Sequence, residues 1–237
     1  MRSLTTLIGV LLVMVTSLVA GHGLTRLSAQ ANSGAGGKST QASGGALPKD
    51  IHPDTGNRFP AIKREALDET GKKLYDARAA GADAFGPGGI RLYSPPVAES
   101  MTGVNEYLRR KSGLDPRFVE LAILVTAREM DCEWVWTSHE PAAQKAGLEQ
   151  EIIDTVKYRK PVTTLGEKEA VIIRLGRESL GKHKVDSDTF ARVMKLFGNQ
   201  GLVNVVSLMG DYASTSILLN ASDQHLRPGD KPLLPIP

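Results

Sequence analysis

Residues 118–127 read Phe-Val-Glu-Leu-Ala-Ile-Leu-Val-Thr-Ala, the most hydrophobic run in the second half of the chain. Nine of these ten side chains carry no charge, and the exception is Glu120. A helix that is apolar on every side lies inside a protein, so the stretch predicts a buried central helix. Asp115 before Pro116 is a favourable start, a capping side chain followed by proline at the first helical position. We predict that this helix continues to about Met130.

Helical patterns continue on both sides of the central segment. Further helices are predicted over about residues 60–80, 96–111, 132–146, 148–158, 164–181, 186–197 and 202–220. Gly113, Gly147 and Gly198 are the expected stops, and Thr164 to Glu167 has the spacing of a capping box. No stretch alternates apolar and polar side chains as a half-buried strand would. The prediction is an all-α bundle of about seven or eight helices, with a long loop over residues 81–96.

The two ends of the chain differ in composition from the helical region. Residues 4–20 are largely apolar and carry no charge, and Ala29-Gln30-Ala31 has the small residues that a signal peptidase reads. This pattern predicts an exported protein, periplasmic or secreted and off the membrane once cleaved, with an uncleaved membrane anchor as the alternative. The expected organisation is a signal peptide (1–31), a flexible linker and extended arm (32–57), a helical domain (58–226) and a proline-rich tail (227–237).

Charge and cysteine content exclude several classes of function. The formal charge is +3, and removal of residues 1–31 takes away Arg2 and Arg26 and no acid, so the mature chain is nearly neutral. Without a basic stripe and interleaved aromatics, we do not expect a nucleic-acid partner. The single cysteine, Cys132, cannot form an internal disulfide. Since the histidines outside the central region share no metal-ligand spacing, we do not expect a metal site.

Glu120 is the first candidate for chemistry. A carboxylate inside an apolar helix is costly unless it is hydrogen-bonded, paired or protonated. Burial raises the pKa of a carboxyl group, which would suit it to proton transfer near neutral pH. The structural alternative is an ion pair with an arginine such as Arg117 or Arg128. The residues alone leave both interpretations open.

The following helix offers a second group of candidates. Cys132 and His139 are seven residues apart, close to two helical turns, so they share a helix face with Trp136 between them. A thiol, an indole and an imidazole in one stripe could form the wall of a small pocket. A helical histidine is more often a structural residue, however, and a buried cysteine is more often a packing residue. Pro141 predicts a kink or a helix start just after His139.

The segment from Glu120 to Leu148, E-x(11)-C-E-W-x(4)-H-x(3)-A-x(3)-G-L, resembles the core signature of the carboxymuconolactone decarboxylase-like family, part of the alkylhydroperoxidase D superfamily. The glutamate, first cysteine and histidine of that signature match Glu120, Cys132 and His139. Val135 replaces the second cysteine. The resemblance extends over about residues 59–232 and implies a helical bundle of the alkylhydroperoxidase D type that forms homo-oligomers, either trimers or hexamers.

The resemblance implies two possible chemistries, and a third function without catalysis stays open beside them. The first is cofactor-free lyase or isomerase chemistry on a small acidic or lactone-like molecule, with His139 as general acid and base and Glu120 as its partner or as a second proton carrier. The second is a thiol-dependent peroxidase that uses Cys132, although the attacking thiol of that family is the second cysteine, which is Val135 here. The third is a non-catalytic protein that binds a small molecule. The substrate-binding candidates are Trp134, Trp136, Glu133, Pro87, Gly88 and Tyr212.

Overall fold

The computed structural model of the chain describes residues 47–78 and 84–236. The predicted signal peptide lies outside these residues. Within them the fold is all-α, as predicted, with eight α-helices and one isolated antiparallel bridge between His52 and Asn57. The helices are α1 (Glu69–Ala77), α2 (Pro87–Arg91), α3 (Pro95–Glu106), α4 (Pro116–Glu129), α5 (Glu133–Lys145), α6 (Gln150–Lys157), α7 (Glu167–Gly176) and α8 (Ser187–Ala221). A 3₁₀ turn precedes α1 (Arg64–Ala66), and π-helical turns extend α3 (Tyr107–Lys111) and α7 (Arg177–Lys182).

Helix α4 is the centre of the bundle. Every residue from Phe118 to Arg128 is buried, and α5, α6, α7 and α8 all pack against it. Its start matches the predicted cap, since the Asp115 carboxylate accepts a hydrogen bond from the Arg117 backbone N–H at 2.9 Å. Each large apolar side chain buried here stabilises the fold by about 1.5–3 kcal/mol. The most hydrophobic segment of the sequence therefore organises the structure.

Several helix boundaries differ from the sequence-based prediction. Residues 60–63 are not helical, and α1 begins only after the Asp68 side chain, which accepts a hydrogen bond from the Gly71 N–H. The expected loop over residues 81–96 contains α2 and the start of α3. The predicted capping box is wrong: Gly166 caps α7, and the Thr164 hydroxyl donates instead to the Glu151 carboxylate at 3.4 Å.

The two predicted C-terminal helices form one element, α8, with a sharp kink at the predicted break. Gly198 has φ +67° and ψ −177°, which lies outside the helical region and favours glycine. By length and composition α8 could cross a membrane, but half of its apolar window is buried against the rest of the protein, as in a core helix. Helix α5 continues through Pro141, so no helix starts there.

The proline-rich segment after Arg227 packs onto the helices. Leu234 is buried, and the Pro235 carbonyl accepts a hydrogen bond from Arg128 Nη1 at 2.8 Å. The Leu233 N–H donates to the Thr137 hydroxyl at 3.3 Å. These contacts fasten the tail across α4 and α5.

Candidate functional site

Glu120 and His139 meet where α4 packs against α5. Glu120 Oε2 lies 2.8 Å from His139 Nδ1. The side chains are 8% and 13% exposed, so the pair is largely shielded but still reached by solvent from the imidazole side. The two residues that the sequence singled out for proton transfer are thus within direct hydrogen-bond distance.

The second oxygen of Glu120 binds an arginine that the sequence did not single out. Arg109 Nη2 donates to Glu120 Oε1 at 3.0 Å from the π-helical turn after α3. The expected partners, Arg117 and Arg128, bind other carboxylates. Arg117 pairs with Glu149 and Glu169, and Arg128 pairs with Asp131.

Helix geometry explains why these two arginines do not reach Glu120. Arg128 lies eight residues further along α4, which is about 12 Å at 1.5 Å per residue. Arg117 is directed toward the acids of α6 and α7, whereas Glu120 faces α5 and the π-helical turn. Glu120 therefore does form an ion pair with an arginine, as the structural alternative predicted, but its partner is Arg109 and neither Arg117 nor Arg128.

The surroundings of Glu120 keep it ionised. Burial on its own would raise the pKa of this carboxyl group, but the His139 hydrogen bond and charge, together with Arg109, lower it below the ordinary value of 4.5. The expected rise in pKa is therefore reversed by two partners. An ionised Glu120 orients and charge-stabilises its neighbours and does not itself carry a proton near neutral pH.

This arrangement defines the proton positions on His139. Because an ionised carboxylate only accepts hydrogen bonds, the network assigns the Nδ1 proton to the bond with Glu120. In the neutral form of the imidazole the other nitrogen, Nε2, then has a lone pair that can take a proton from a bound molecule. The imidazole is also held from the side by the Tyr212 ring, whose centroid lies 5.1 Å away at an interplanar angle of 89°.

Tyr212 extends the site onto α8. Burial raises the pKa of its phenol to about 12, although the charge of Arg109 and a hydrogen bond with Asn105 oppose the rise. The phenol is therefore neutral over the physiological range and can act as a hydrogen-bond donor. Next to it, the Asp211 carboxylate accepts a hydrogen bond from Asn105 Nδ2 at 2.7 Å.

Sequence reasoning missed four polar residues around Tyr212. They are Arg91, Asn105, Arg109 and Asp211. Three of them precede Glu120, the first residue of the segment that carries the resemblance, and lie on α2, α3 and the π-helical turn. Only Asp211, beside Tyr212 in the Gly-Asp-Tyr triplet 210–212, carried a signal that could have identified it.

Cys132 lies at the N-cap of α5 and is almost completely buried. Burial raises the pKa of its thiol, and hydrogen bonding with the Val135 backbone offsets only part of that rise. A reactive cysteine has the opposite properties, a lowered pKa and access to solvent. The environment of Cys132 is that of a packing residue.

Trp136 belongs to a separate buried cluster. Its indole N–H donates to the Glu140 carboxylate, which also binds Lys157 Nζ at 2.8 Å. The Lys157 ammonium lies 5.7 Å from the centre of the Trp136 ring. The polar group of Trp136 is therefore occupied by Glu140 and is not available to a substrate beside His139.

Glu133 and Trp134 border a different cavity, of about 280 Å³. Its lining consists of Met130, Asp131, Glu133, Trp134, Leu219, Asn220, Asp223, Gln224 and Ile236. The ring of Trp134 also covers Gly86, the residue before Pro87 and Gly88 at the start of α2. Among the residues that the structure describes, Tyr212 is the one predicted substrate-binding residue whose ring packs against His139.

No group of three or more histidine, cysteine, aspartate or glutamate side chains in the described part of the chain could hold a metal ion.

Comparisons with known proteins concern the family and the fold of the chain. Residues 95–170, which include Glu120, Cys132 and His139, match the Carboxymuconolactone decarboxylase family. No curated protein matches the chain. A protein of unknown function from Agrobacterium tumefaciens, linked by its description to the antioxidant defence protein AhpD, has a similar fold, with a TM-score of 0.52, 16% identity, and coverage of 57% of this chain and 94% of the other.

A second similar structure is the alkylhydroperoxidase AhpD core of an uncharacterized peroxidase-related protein from Ralstonia eutropha JMP134. Its TM-score is 0.58 at 14% identity, with coverage of 74% of this chain and 93% of the other. At such low identity these likenesses show the fold. Together with the family match, they support the carboxymuconolactone decarboxylase and alkylhydroperoxidase D superfamily.

Proposed function

We propose that the chain is an enzyme that catalyses an acid–base reaction without a cofactor. The support for the carboxymuconolactone decarboxylase and alkylhydroperoxidase D superfamily is the starting point of this proposal. The reaction is of the lyase or isomerase type, and the substrate is a small acidic or lactone-like molecule. The observation that carries the proposal is the 2.8 Å contact between Glu120 Oε2 and His139 Nδ1. A base oriented by a buried carboxylate is a recurring arrangement for proton transfer.

Each residue has a distinct role in this proposal. His139 Nε2 accepts a proton from the substrate and returns one to the carbon that has become electron-rich. Glu120 holds the imidazole in one orientation and stabilises the imidazolium that forms. Arg109 keeps Glu120 ionised through its 3.0 Å ion pair. A positioned acid–base group of this kind typically contributes about 10²- to 10⁴-fold to a rate.

The thiol-peroxidase alternative has little support from the geometry. Cys132 is buried and its thiol pKa is raised, so the thiolate that would attack a peroxide is disfavoured. Val135, at the position of the family's second cysteine, has no thiol with which to form a disulfide. The remaining alternative, a binding protein without catalysis, is separated from the proposal by measuring turnover.

The test starts from a thermal-shift screen of small unsaturated acids and lactones against the purified protein, because a ligand of the native state raises its melting temperature. Compounds that stabilise the protein are then assayed for turnover with the wild type, Glu120→Gln, His139→Ala and Cys132→Ser. We expect the first two substitutions to lower kcat by about 10²-fold or more. Cys132→Ser should retain activity.

Three outcomes would contradict this proposal. Turnover that survives His139→Ala would remove the imidazole from the mechanism. Consumption of peroxide that requires added thiol and is lost in Cys132→Ser would establish the peroxidase instead. Stabilising compounds that are never converted would favour the binding protein.

A further inference from the structure

We propose that the cavity beside Glu133 and Trp134 is a second binding site, which takes a small primary amine in its ammonium form. The cavity has a volume of about 280 Å³, and neither Glu120 nor His139 lines it. Small-molecule pockets usually have volumes of about 300–1,000 Å³, so the occupant of this one is small. The inference goes beyond the proposed acid–base chemistry and does not depend on it.

Three separate parts of the chain form the cavity. Its lining residues come from 130–134 at the turn between α4 and α5, from 219–224 at the end of α8, and from Ile236 in the tail. The tail is held there by the buried side chain of Leu234 and by the 2.8 Å hydrogen bond from Arg128 to the Pro235 carbonyl. The cavity is therefore part of the folded structure, and a ligand does not have to assemble it.

The charged side chains of the lining are all negative. They are Asp131, Glu133 and Asp223, and no lysine, arginine or histidine is among the lining residues. Asp131 pairs with Arg128, and Asp223 Oδ2 lies 3.7 Å from Arg58 Nη2. These two arginines lie outside the lining, and each partly neutralises one of the acids. The third acid, Glu133, has no such partner.

Glu133 is the first residue of α5 and is half-buried. Among the residues that the structure describes, no side chain donates a hydrogen bond to its carboxylate or forms an ion pair with it. Burial raises the pKa of this carboxyl group, and no neighbouring cation offsets the rise. A bound cation would supply the missing partner. A carboxylate that is partly removed from water gains more from such a partner than an exposed one, because the screening by solvent is weaker.

The Trp134 ring gives the cavity a surface that attracts cations. Tryptophan is the aromatic residue that binds cations most strongly, and the Arg227 guanidinium already lies 5.3 Å from the centre of this ring. Arg227 is not one of the residues that line the cavity. Met130, Leu219 and Ile236 complete the apolar part of the lining, against which a hydrocarbon chain can pack.

A primary ammonium group fits the acceptors of the cavity. It has three N–H donors, and the Glu133 carboxylate can accept from them. The Asn220 carbonyl oxygen is a further acceptor, because Asn220 uses its Nδ2 to donate to the Met130 carbonyl at 3.2 Å. A metal ion fits less well, since no group of three or more acidic, histidine or cysteine side chains in the described part of the chain could hold one. The occupant is therefore an organic cation with a short hydrocarbon chain.

The experiment measures the binding of hexylammonium at neutral pH by isothermal titration calorimetry, with 1-hexanol and hexanoate as the neutral and anionic probes of similar length. The proteins are the wild type, Glu133→Gln, Glu133→Asp and the control Glu99→Gln, which removes an equal charge from an exposed position of α3. We expect wild type and Glu99→Gln to bind hexylammonium alike, and Glu133→Gln to bind it at least about tenfold more weakly. Glu133→Asp keeps the charge on a shorter side chain and should fall between them.

Tryptophan fluorescence shows whether the ligand enters this cavity. The chain has two tryptophans, Trp134 and Trp136, and of these Trp134 lines the cavity. Saturation with hexylammonium should change the emission of the wild type and of Trp136→Phe, and should leave the emission of Trp134→Phe unchanged. A change that persists in Trp134→Phe would place the ligand elsewhere and overturn the proposal.

The calorimetry gives three further results that would overturn it. They are equal binding of hexylammonium and 1-hexanol, equal binding of hexylammonium by Glu133→Gln and Glu99→Gln, and no binding of hexylammonium by the wild type. Tighter binding of hexanoate than of hexylammonium would likewise contradict the sign of the charge that the cavity selects.

His139→Asn separates this inference from the proposed chemistry. That variant should bind hexylammonium like the wild type, and a loss of binding would make the cavity part of the acid–base site and overturn the inference. A protein that binds hexylammonium through Glu133 but converts no acid or lactone would disprove the catalytic proposal and leave this site intact. A protein that turns over substrate but does not bind hexylammonium would do the reverse.

Discussion

Glu120 Oε2 and His139 Nδ1 are 2.8 Å apart although nineteen positions separate the residues in the sequence. The contact joins the fully buried face of α4 to the side of α5 that solvent can still reach. Arg109, on the π-helical turn after α3, donates a hydrogen bond to the other carboxylate oxygen of Glu120. A proton-transfer group is thereby held by the rigid centre of the fold.

We expect Glu120→Gln to lower the free energy of unfolding at neutral pH by about 3 kcal/mol, since a neutral amide leaves the Arg109 charge without its partner. The pKa of Glu120 is lowered in the folded state, so its contribution is complete above the ordinary value of 4.5 and is lost as the pH falls through the folded-state pKa. Urea unfolding from pH 7 to pH 3 should show the gap between wild type and variant closing in acid. A gap that stays constant would show that the ionised carboxylate has no such partners.

Glu133→Gln is a control in which the pKa of the carboxyl group is shifted in the opposite direction from that of Glu120. Burial raises the pKa of Glu133, so its ionisation opposes folding as the pH rises through the folded-state value. The amide removes this cost, and the variant should be at least as stable as the wild type at pH 7. The same series of urea curves measures it, and a loss of stability comparable to that of Glu120→Gln would contradict the assignment.

Cys132 should react slowly with thiol reagents in the native protein. The residue is 1% exposed and its thiol has a raised pKa, so both access and the thiolate fraction are low. Alkylation by iodoacetamide at pH 7.5 (about one unit below the pKa of an ordinary thiol) should be on the order of 100-fold slower in native than in urea-unfolded protein. Equal alkylation rates in native and unfolded protein would show that Cys132 is accessible and reactive in the folded state.

Trp136→Phe tests the buried cluster beside the site. The substitution removes the indole N–H that donates to Glu140 and leaves that carboxylate with the Lys157 ammonium as its remaining partner among the described residues. We expect a loss of about 1–3 kcal/mol in the free energy of unfolding, the usual cost of an unsatisfied buried acceptor. Trp134→Phe is the control, and a loss of the same size in both variants would argue against a specific role for the hydrogen bond.

Gly86→Ala should destabilise the start of α2, whereas Gly88→Ala should not. Gly86 has φ +82°, and a Cβ there would lie 2.4 Å from the Trp134 ring. Backbone strain of this kind costs about 1–3 kcal/mol before the clash is added. Nothing lies within 4 Å of a Cβ at Gly88. Thermal unfolding of the two variants compares them directly, and equal melting temperatures would exclude the close packing of Trp134 on Gly86.

The central helix could be predicted because its sequence leaves few alternatives. Residues 118–127 are apolar on every side, and the Asp115-Pro116 pair marks where the helix begins. The observed bounds differ from the prediction by one residue at the C-terminal end. The glutamate-to-histidine spacing likewise identified two side chains that do meet in space.

The rest of the site depends on tertiary contacts without a local pattern. Arg109, Arg110 and Lys111 are consecutive cations, and only the position of α4 selects Arg109 as the partner of Glu120. Helical spacing grouped Trp136 with His139, but the indole turns to Glu140, whose partner Lys157 lies on the next helix. Helical spacing predicts which side chains are neighbours on one helix. It does not predict which side chains of the adjacent helix they will bind.

The π-helical turn over Tyr107–Lys111 has a consequence for how this protein can vary in length. A π turn accommodates one residue more than the α-helix around it. Deleting a single residue there would let the segment regularise, and each residue of an α-helix accounts for about 100° of rotation. Arg109 would then swing to another side of its helix and lose Glu120. Homologous chains that keep the glutamate–arginine pair should therefore tolerate gaps in surface loops but show none in this five-residue segment.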